Sequence, residues 1–268
     1  GIYLALFSDT IIYVMLIKEY VEFPAYTGVE DRKLFIYLPN DYQVSEKCYP
    51  VLYMFDGQNV FLDHEATYGR SWRMADYLDE NRVDLIVVSV ECHRGSDGER
   101  NDEYGPFPMY LEGRWHECYA DDTLEWFINE LKPMIDERFR TIPFREATFI
   151  GGSSMGGLIA TYALLKYNEI FSKAASLSPA YYLCKKDFKN FIKNVELDES
   201  VLYTDYGTLD LEMPRGMRDF LEINKLLGLK GVNVTSRMIP GGEHNEANWD
   251  KQLTFMIQVL MYEKKKRN

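Results

Sequence analysis

Residues 147–158 read ATFIGGSSMGGL, a short apolar run followed by a GxSxG motif centred on Ser154. The apolar run is typical of a buried strand, and the residues after the motif, LIATYALL, are typical of a buried helix. A serine hydroxyl is a weak nucleophile, so a catalytic serine must stand on a sharp strand-to-helix turn that presents it to both its base and a substrate carbonyl. Gly152 and Gly156 leave room for the strand and the helix to approach each other there. The pattern predicts Ser154 as a nucleophile.

Strand-like and helix-like segments alternate along the rest of the chain. Strands are predicted at residues 15–24, 33–39, 49–55, 84–90, 147–150, 171–176, 200–205 and 232–239, and helices near residues 71–81, 121–138, 158–165, 187–194, 214–227 and 245–263. Helix-length segments between strands imply βαβ crossovers. We therefore expect an α/β fold: a mostly parallel, twisted sheet of about eight strands with helices on both faces and an antiparallel hairpin at its start. Ligands bind at the carboxyl ends of such strands, where Ser154 would lie.

The 268 residues contain no linker-like or low-complexity stretch, so a single α/β domain over residues 1–268 is expected. Residues 2–17 are apolar, but polar residues interrupt them and they are too short to span a bilayer. They also lack the preceding positive charge of a secretory signal. Residues 1–14 are interpreted as an N-terminal extension before Met15, and the chain is expected to be cytoplasmic.

Charge and cysteine content narrow the class of partner. The formal net charge of −12 argues against binding to nucleic acid or anionic membranes and favours a small-molecule partner. The four cysteines form no CxxC pair, and the histidines near Cys92 and Cys118 lack the spacing of a metal site. Neither a metal nor a cofactor is predicted.

The base can be chosen from four histidines: His64, His93, His116 and His244. In hydrolases with this kind of serine turn, the chain order is serine, then the acid, then histidine. Only His244 follows Ser154. It lies in the loop PGGEHNE, residues 240–246, just after the last predicted strand.

The acid should follow an intervening strand, and residues 201–212, VLYTDYGTLDLE, offer Asp205, Asp210 and Glu212. Asp210 is our choice, although position alone leaves all three open. Its role would be to orient the imidazole and to stabilise the imidazolium.

An oxyanion hole needs two backbone N–H groups, one from the residue after the nucleophile and one from the turn after the third strand. Met155 supplies the first. The turn DGQN, residues 56–59, supplies the second, and Gln58 is favoured over Gly57.

Several further motifs occur in a fixed order around these residues: YMFDGQNVF (53–61), RNDEYGP (100–106), ELKPMID (130–136), LSPA (177–180) and GGEH (241–244). Together they resemble the putative esterase family, which includes enterochelin esterases, the esterase D group and feruloyl esterases, over residues 32–262. The resemblance implies an α/β-hydrolase fold, a triad on Ser154, Asp210 and His244, and an oxyanion donor in the turn at residues 56–59.

The segment of residues 91–117 is rich in aromatic residues and is predicted to be a lid-like loop over the Ser154 edge. The candidate substrate-binding residues are Trp72, Arg100, Tyr104, Trp115 and Tyr181. The aromatic rings could hold an aromatic acyl group or the face of a sugar, or the loop could simply pack against the core. Arg100 could bind an anionic substrate or form an ion pair with Asp102 or Glu103.

These features predict a serine carboxylic ester hydrolase that acts through an acyl-enzyme on a small or aromatic ester. An acyltransferase could use the same triad if its pocket excluded water. A non-catalytic hydrolase-fold protein could instead bind a ligand through the aromatic loop. The sequence leaves the natural ester and the oligomeric state open.

Overall fold

In the computed structural model, which describes residues 15–95 and 97–263, an antiparallel hairpin of β1 (Met15–Ala25) and β2 (Gly28–Leu38) forms one edge of the sheet. Its register places Met15 opposite Leu38. The hairpin confirms the predicted antiparallel start of the sheet. The interpretation of residues 1–14 as an extension concerns residues outside the described part.

The remaining strands of the described chain are β3 (Val51–Met54), β4 (Ile86–Val90), β5 (Met109–Leu111), β6 (Arg114–His116), β7 (Thr148–Ser153), β8 (Lys173–Leu177), β9 (Val201–Leu209) and β10 (Asn233–Glu243). Six of them continue the sheet from this hairpin, whereas β5 and β6 pair only with each other. Within the described residues, eight strands form the main sheet in the order β1-β2-β4-β3-β7-β8-β9-β10. Strand β2 pairs antiparallel with β4, and the pairs from β4 to β10 are parallel. The predicted fold class is confirmed.

Helices cover both faces of this sheet. They are α1 (Met74–Glu80), α2 (Glu99–Tyr104), α3 (Ala120–Trp126), α4 (Lys132–Arg138), α5 (Met155–Lys166), α6 (Lys185–Asn194), α7 (Arg215–Lys230), α8 (Glu246–Asp250) and α9 (Leu253–Met261). Strands β3 and β4 are buried along their whole length, as expected for apolar strands covered on both faces. One core cluster includes Leu158 of α5 and Phe220 of α7, and a second includes Leu78 of α1 and Leu260 of α9.

Two predicted segments differ from the structure. Residues 91–117 are not simply irregular, because they contain α2 and a small hairpin of β5 and β6. Elements of three to six residues are too short for hydrophobic periodicity to reveal. The last predicted helix, residues 245–263, is two helices, α8 and α9, and the Asn245 side chain caps α8 by accepting a hydrogen bond from the Asn248 N–H at 2.9 Å.

No helix within residues 15–95 and 97–263 combines the length and the apolar character needed to cross a bilayer.

Candidate active site

Ser154 forms the turn between β7 and α5, with φ 59° and ψ −122°. A positive φ is uncommon for a residue with a side chain, and strained backbone of this kind concentrates at functional sites. The turn is anchored because the Ser154 N–H donates to the Leu177 carbonyl at 2.9 Å. A Cβ on Gly152 would lie 2.7 Å from the carbonyl carbon of Gly156, so the strand and the helix can meet this closely only with glycine.

His244 follows β10 and reaches back to this turn. Its Nε2 lies 2.9 Å from Ser154 Oγ, which is within hydrogen-bonding distance. The imidazole packs against the Trp249 ring in a T-shaped arrangement, with ring planes at 79° and centroids 5.1 Å apart. The His244 side chain is mostly buried, so its orientation is held by packing as well as by hydrogen bonds.

Asp210 contacts the other side of the imidazole, with Oδ1 2.6 Å from His244 Nδ1. The carboxylate also accepts hydrogen bonds from the Leu211 N–H at 2.7 Å and from the Ser178 hydroxyl at 2.5 Å. Burial acts to raise the pKa of Asp210, but the hydrogen bonds from His244 and Ser178 outweigh it and bring the pKa below its usual value. The carboxyl is therefore ionised at neutral pH.

The two alternative acids lie elsewhere. Asp205 is fully buried in β9 and accepts a hydrogen bond from the Tyr203 hydroxyl at 2.8 Å, and burial raises its pKa to about 7. Glu212 is half exposed and lies 3.8 Å from Arg215. Of the three candidates, the structure brings Asp210 to the imidazole.

Two residues that the sequence did not single out extend this chain of hydrogen bonds. The Trp249 Nε1–H donates to Ser178 Oγ at 2.9 Å, and Ser178 in turn donates to Asp210. Ser178 is completely buried and has φ 45°. Its position in the LSPA motif after β8 is the signal that could have identified it.

The turn after β3 faces Ser154 across the site. Its first residue, Asp56, has φ 56°, and a Cβ on Gly57 would lie 2.7 Å from the Val90 carbonyl carbon, so glycine is needed for the turn to pack on β4. The Gln58 side chain is fixed to the end of β4, because its Oε1 accepts from the Cys92 N–H at 3.3 Å. Gln58 lines the same cavity as Ser154. Met155 begins α5, where a helix N–H has no intrahelical acceptor.

Arg100 holds the turn after β3 in place. Its Nε and Nη2 donate to the two carboxylate oxygens of Asp56, each at 2.6 Å. The Asp56 N–H donates to the Tyr104 hydroxyl at 3.1 Å. Of the two alternatives for Arg100, an anionic substrate or an ion pair with Asp102 or Glu103, the ion pair is present but its partner is Asp56.

A cavity of about 580 Å³ opens above Ser154 and His244. Arg100 is the one predicted substrate-binding residue among its lining residues in the described chain. The structure does not bring the other four there. Trp72, Tyr104 and Tyr181 are buried in the core, and Trp115 on β6 is 67% exposed and packs against Tyr110.

One group beside this cavity has donors that could hold a metal ion: Glu30, His93 and Glu99, whose donor atoms lie within 4.8 Å of one another. The ring nitrogens of His93 lie 3.0 Å from Glu30 and 3.3 Å from Glu99. Direct contacts of the imidazole with the two carboxylates account for this arrangement as well as a metal would.

This chain is similar to known proteins in both sequence and fold. Residues 27–260 match the family described as Putative esterase. The uncharacterized protein YbbA of Bacillus subtilis is 26% identical over 159 residues, which is 57% of this chain and 58% of YbbA. Esterase Rv1288 of Mycobacterium tuberculosis is 29% identical over 179 residues, which is 65% of this chain but only 34% of that protein. The match thus spans less than two thirds of the length of YbbA and about a third of that of Rv1288.

A solved IroE-like serine hydrolase from Shewanella oneidensis has the same fold. It superposes with a TM-score of 0.73 at 19% identity, covering 90% of this chain and 79% of the other. The likeness confirms the predicted α/β-hydrolase architecture.

Proposed function

This chain belongs to the putative esterase family, and from that premise we propose that it is a serine carboxylic ester hydrolase that acts through an acyl-enzyme. In this proposal Ser154 is the nucleophile, His244 the general base and acid, and Asp210 the residue that orients the histidine. The natural substrate is a small-molecule ester.

One observation carries the proposal: a continuous series of hydrogen bonds joins the three side chains. Ser154 Oγ lies 2.9 Å from His244 Nε2, and His244 Nδ1 lies 2.6 Å from Asp210 Oδ1. This is the arrangement in which an imidazole removes the hydroxyl proton while a carboxylate stabilises the resulting imidazolium. The family match and the strained turn at Ser154 support the same reading.

The reaction follows from these contacts in two halves. Ser154 Oγ attacks the ester carbonyl carbon as its proton moves to His244 Nε2, and the oxyanion is stabilised by the backbone N–H groups of Met155 and Gln58. The intermediate collapses, His244 gives the proton to the leaving alcohol, and the acyl group remains on Ser154 as an ester. Water, deprotonated by His244, then attacks the acyl-enzyme and releases the acid.

Hydrolysis of p-nitrophenyl acetate tests the proposal. We expect Ser154→Ala and His244→Ala each to lower kcat by roughly a million-fold, because the two groups act as a unit. Ser153→Ala is the matched control, since Ser153 is the neighbouring buried serine at the end of β7. Pre-steady-state release of p-nitrophenol, followed by mass spectrometry of the quenched enzyme, should show an acetyl group on Ser154. A loss below about tenfold in both variants would refute the assignment.

A further inference from the structure

The wall of the active-site cavity is unusually polar. What this wall implies about the substrate rests on the proposed function of the same site. Among the described residues, no aliphatic side chain lines the cavity. Small-molecule pockets are usually lined mainly by hydrophobic and aromatic groups. A long alkyl acyl chain would therefore find only the aromatic side chains of Tyr68 and Trp249, and no aliphatic surface, to cover it beside Ser154. The polar wall favours a hydrophilic substrate.

Most charges in this wall are already neutralised by a neighbour. Arg100 is paired with Asp56, and Lys33 is paired with Glu65. His93 lies between Glu30 and Glu99. These groups shape the cavity, but their hydrogen-bonding capacity is largely used within the protein.

Glu246 differs from them. It lies two residues after His244, lines the same cavity and is only 6% exposed. Within the described chain it forms no ion pair and no hydrogen bond with another side chain. The donor that it does have is its own backbone N–H, at the start of α8. Burial is the main cause that raises the pKa of Glu246, and the Asp56 charge raises it further.

A buried carboxyl group is costly unless hydrogen-bond donors satisfy it, and an ionised carboxylate has about four acceptor positions. The hydrogen-bond donors that the Glu246 carboxylate lacks can approach it from the cavity. We infer that Glu246 is a specificity-determining residue that accepts a hydrogen bond from a hydroxyl or ammonium group of the substrate. The substrate class is then an ester that carries such a donor close to the carbonyl attacked by Ser154.

Two matched series of esters test the inference. On the acyl side these are methyl butyrate, methyl 3-hydroxybutyrate and methyl 3-aminobutyrate. On the alcohol side they are butyl acetate and 4-hydroxybutyl acetate. In at least one series we expect the wild-type protein to hydrolyse the donor-bearing ester with a kcat/KM roughly 10- to 100-fold above that of the ester without a donor. Comparison of the hydroxyl and ammonium esters identifies which donor is used.

Three variants then assign the preference to Glu246. Glu246→Met has a similar size and no strong acceptor, so it should abolish the preference. Glu246→Gln keeps a carbonyl acceptor without the charge and should lose the preference for ammonium while retaining part of that for hydroxyl. Glu65→Gln is the control, because this cavity carboxylate is already paired, and the ratio between esters should stay as in the wild-type protein.

Equal kcat/KM values within each wild-type series, or a preference that survives in Glu246→Met, would overturn the inference. If only this inference fails, hydrolysis of p-nitrophenyl acetate will still depend on Ser154. If the proposed function fails, no ester will be hydrolysed through Ser154, and the inference about Glu246 fails with it.

Discussion

Ser178 donates a 2.5 Å hydrogen bond to Asp210 Oδ2, the carboxylate oxygen opposite the one that contacts His244. The same hydroxyl oxygen accepts the Trp249 indole N–H at 2.9 Å, and the Trp249 ring packs against His244. Both oxygens of Asp210 are therefore held, one by the histidine and one by a buried hydroxyl. This fixes the plane of the carboxylate with respect to the imidazole.

We predict that Ser178→Ala lowers kcat for p-nitrophenyl acetate by about 10- to 100-fold. The substitution leaves Asp210 Oδ2 and the Trp249 N–H short of a partner and lets the carboxylate rotate. Loss of such a buried hydrogen bond should also reduce the free energy of unfolding by about 1–3 kcal/mol. Ser176→Ala is the control, because Ser176 is equally buried but donates to the Gly157 carbonyl instead. A comparable fall in kcat in the control would show that the effect is merely structural.

Separate substitutions of Asp210, Asp205 and Glu212 distinguish among the three candidate acids. Asp210→Asn should lower kcat by roughly ten-thousand-fold, because the amide favours the wrong imidazole tautomer. Asp205→Asn and Glu212→Gln should change kcat by less than about tenfold, since neither side chain contacts His244 within the described residues. The three variants are compared by kcat on one ester, and a larger loss at either alternative would move the acid there.

Substitution of Arg100 shows whether this residue supports the turn that carries Gln58 or binds an anionic substrate. Because both guanidinium contacts go to Asp56, Arg100→Met should loosen the turn that carries Gln58. We expect kcat to fall about tenfold or more for neutral and anionic esters alike, as for loss of an oxyanion donor. Steady-state kinetics on p-nitrophenyl acetate and on a mono-ester of succinate separate the alternatives. A rise in KM confined to the anionic ester would instead identify Arg100 as a substrate-binding residue.

Asp205 makes stability depend on pH. Burial raises its pKa to about 7 in the folded protein, against about 3.9 in an unfolded chain. Between these values the folded state binds the extra proton, so its stability falls as the pH rises toward 7. We expect the free energy of unfolding to drop by about 2–3 kcal/mol between pH 5 and pH 8 through this group.

Asp205→Asn should remove that part of the pH dependence. Urea unfolding of both proteins at pH 5 and pH 8 checks it, because the variant should lose less stability over this interval than the wild-type protein. Burial also raises the pKa of Asp79, to about 6. Asp79 is present in both proteins, so its contribution to the pH dependence cancels in the comparison. Equal losses in the two proteins would show that Asp205 is not protonated in the folded state.

The sequence was most informative where one local pattern has one structural solution. The apolar run before Ser154 and the glycines on either side of it predict the strand, the turn and the helix together, and all three are present. The alternation of strands and helices likewise predicted the parallel sheet. Chain order singled out His244 among four histidines, and in the structure its Nε2 lies 2.9 Å from Ser154 Oγ.

Contacts between distant segments were beyond the reach of these patterns. Ser178 and Trp249 meet because a turn after β8 packs against α8, and no periodicity in either segment encodes that meeting. Arg100 has acidic neighbours in sequence, yet its partner is Asp56, 44 positions away. Aromatic content suggested a substrate role for Tyr104 and Trp115. Composition cannot tell a ring that faces a cavity from one buried in the core, as Tyr104 is, or one exposed on the surface, as Trp115 is.

Covalent labelling with a fluorophosphonate probe tests the central claim most directly, because only an activated serine reacts with it. The account predicts that the intact protein gains one probe adduct, that peptide mapping places the adduct on Ser154, and that Ser153→Ala still labels whereas Ser154→Ala does not. Absence of labelling in the intact, folded protein, or undiminished labelling of Ser154→Ala, would contradict the account.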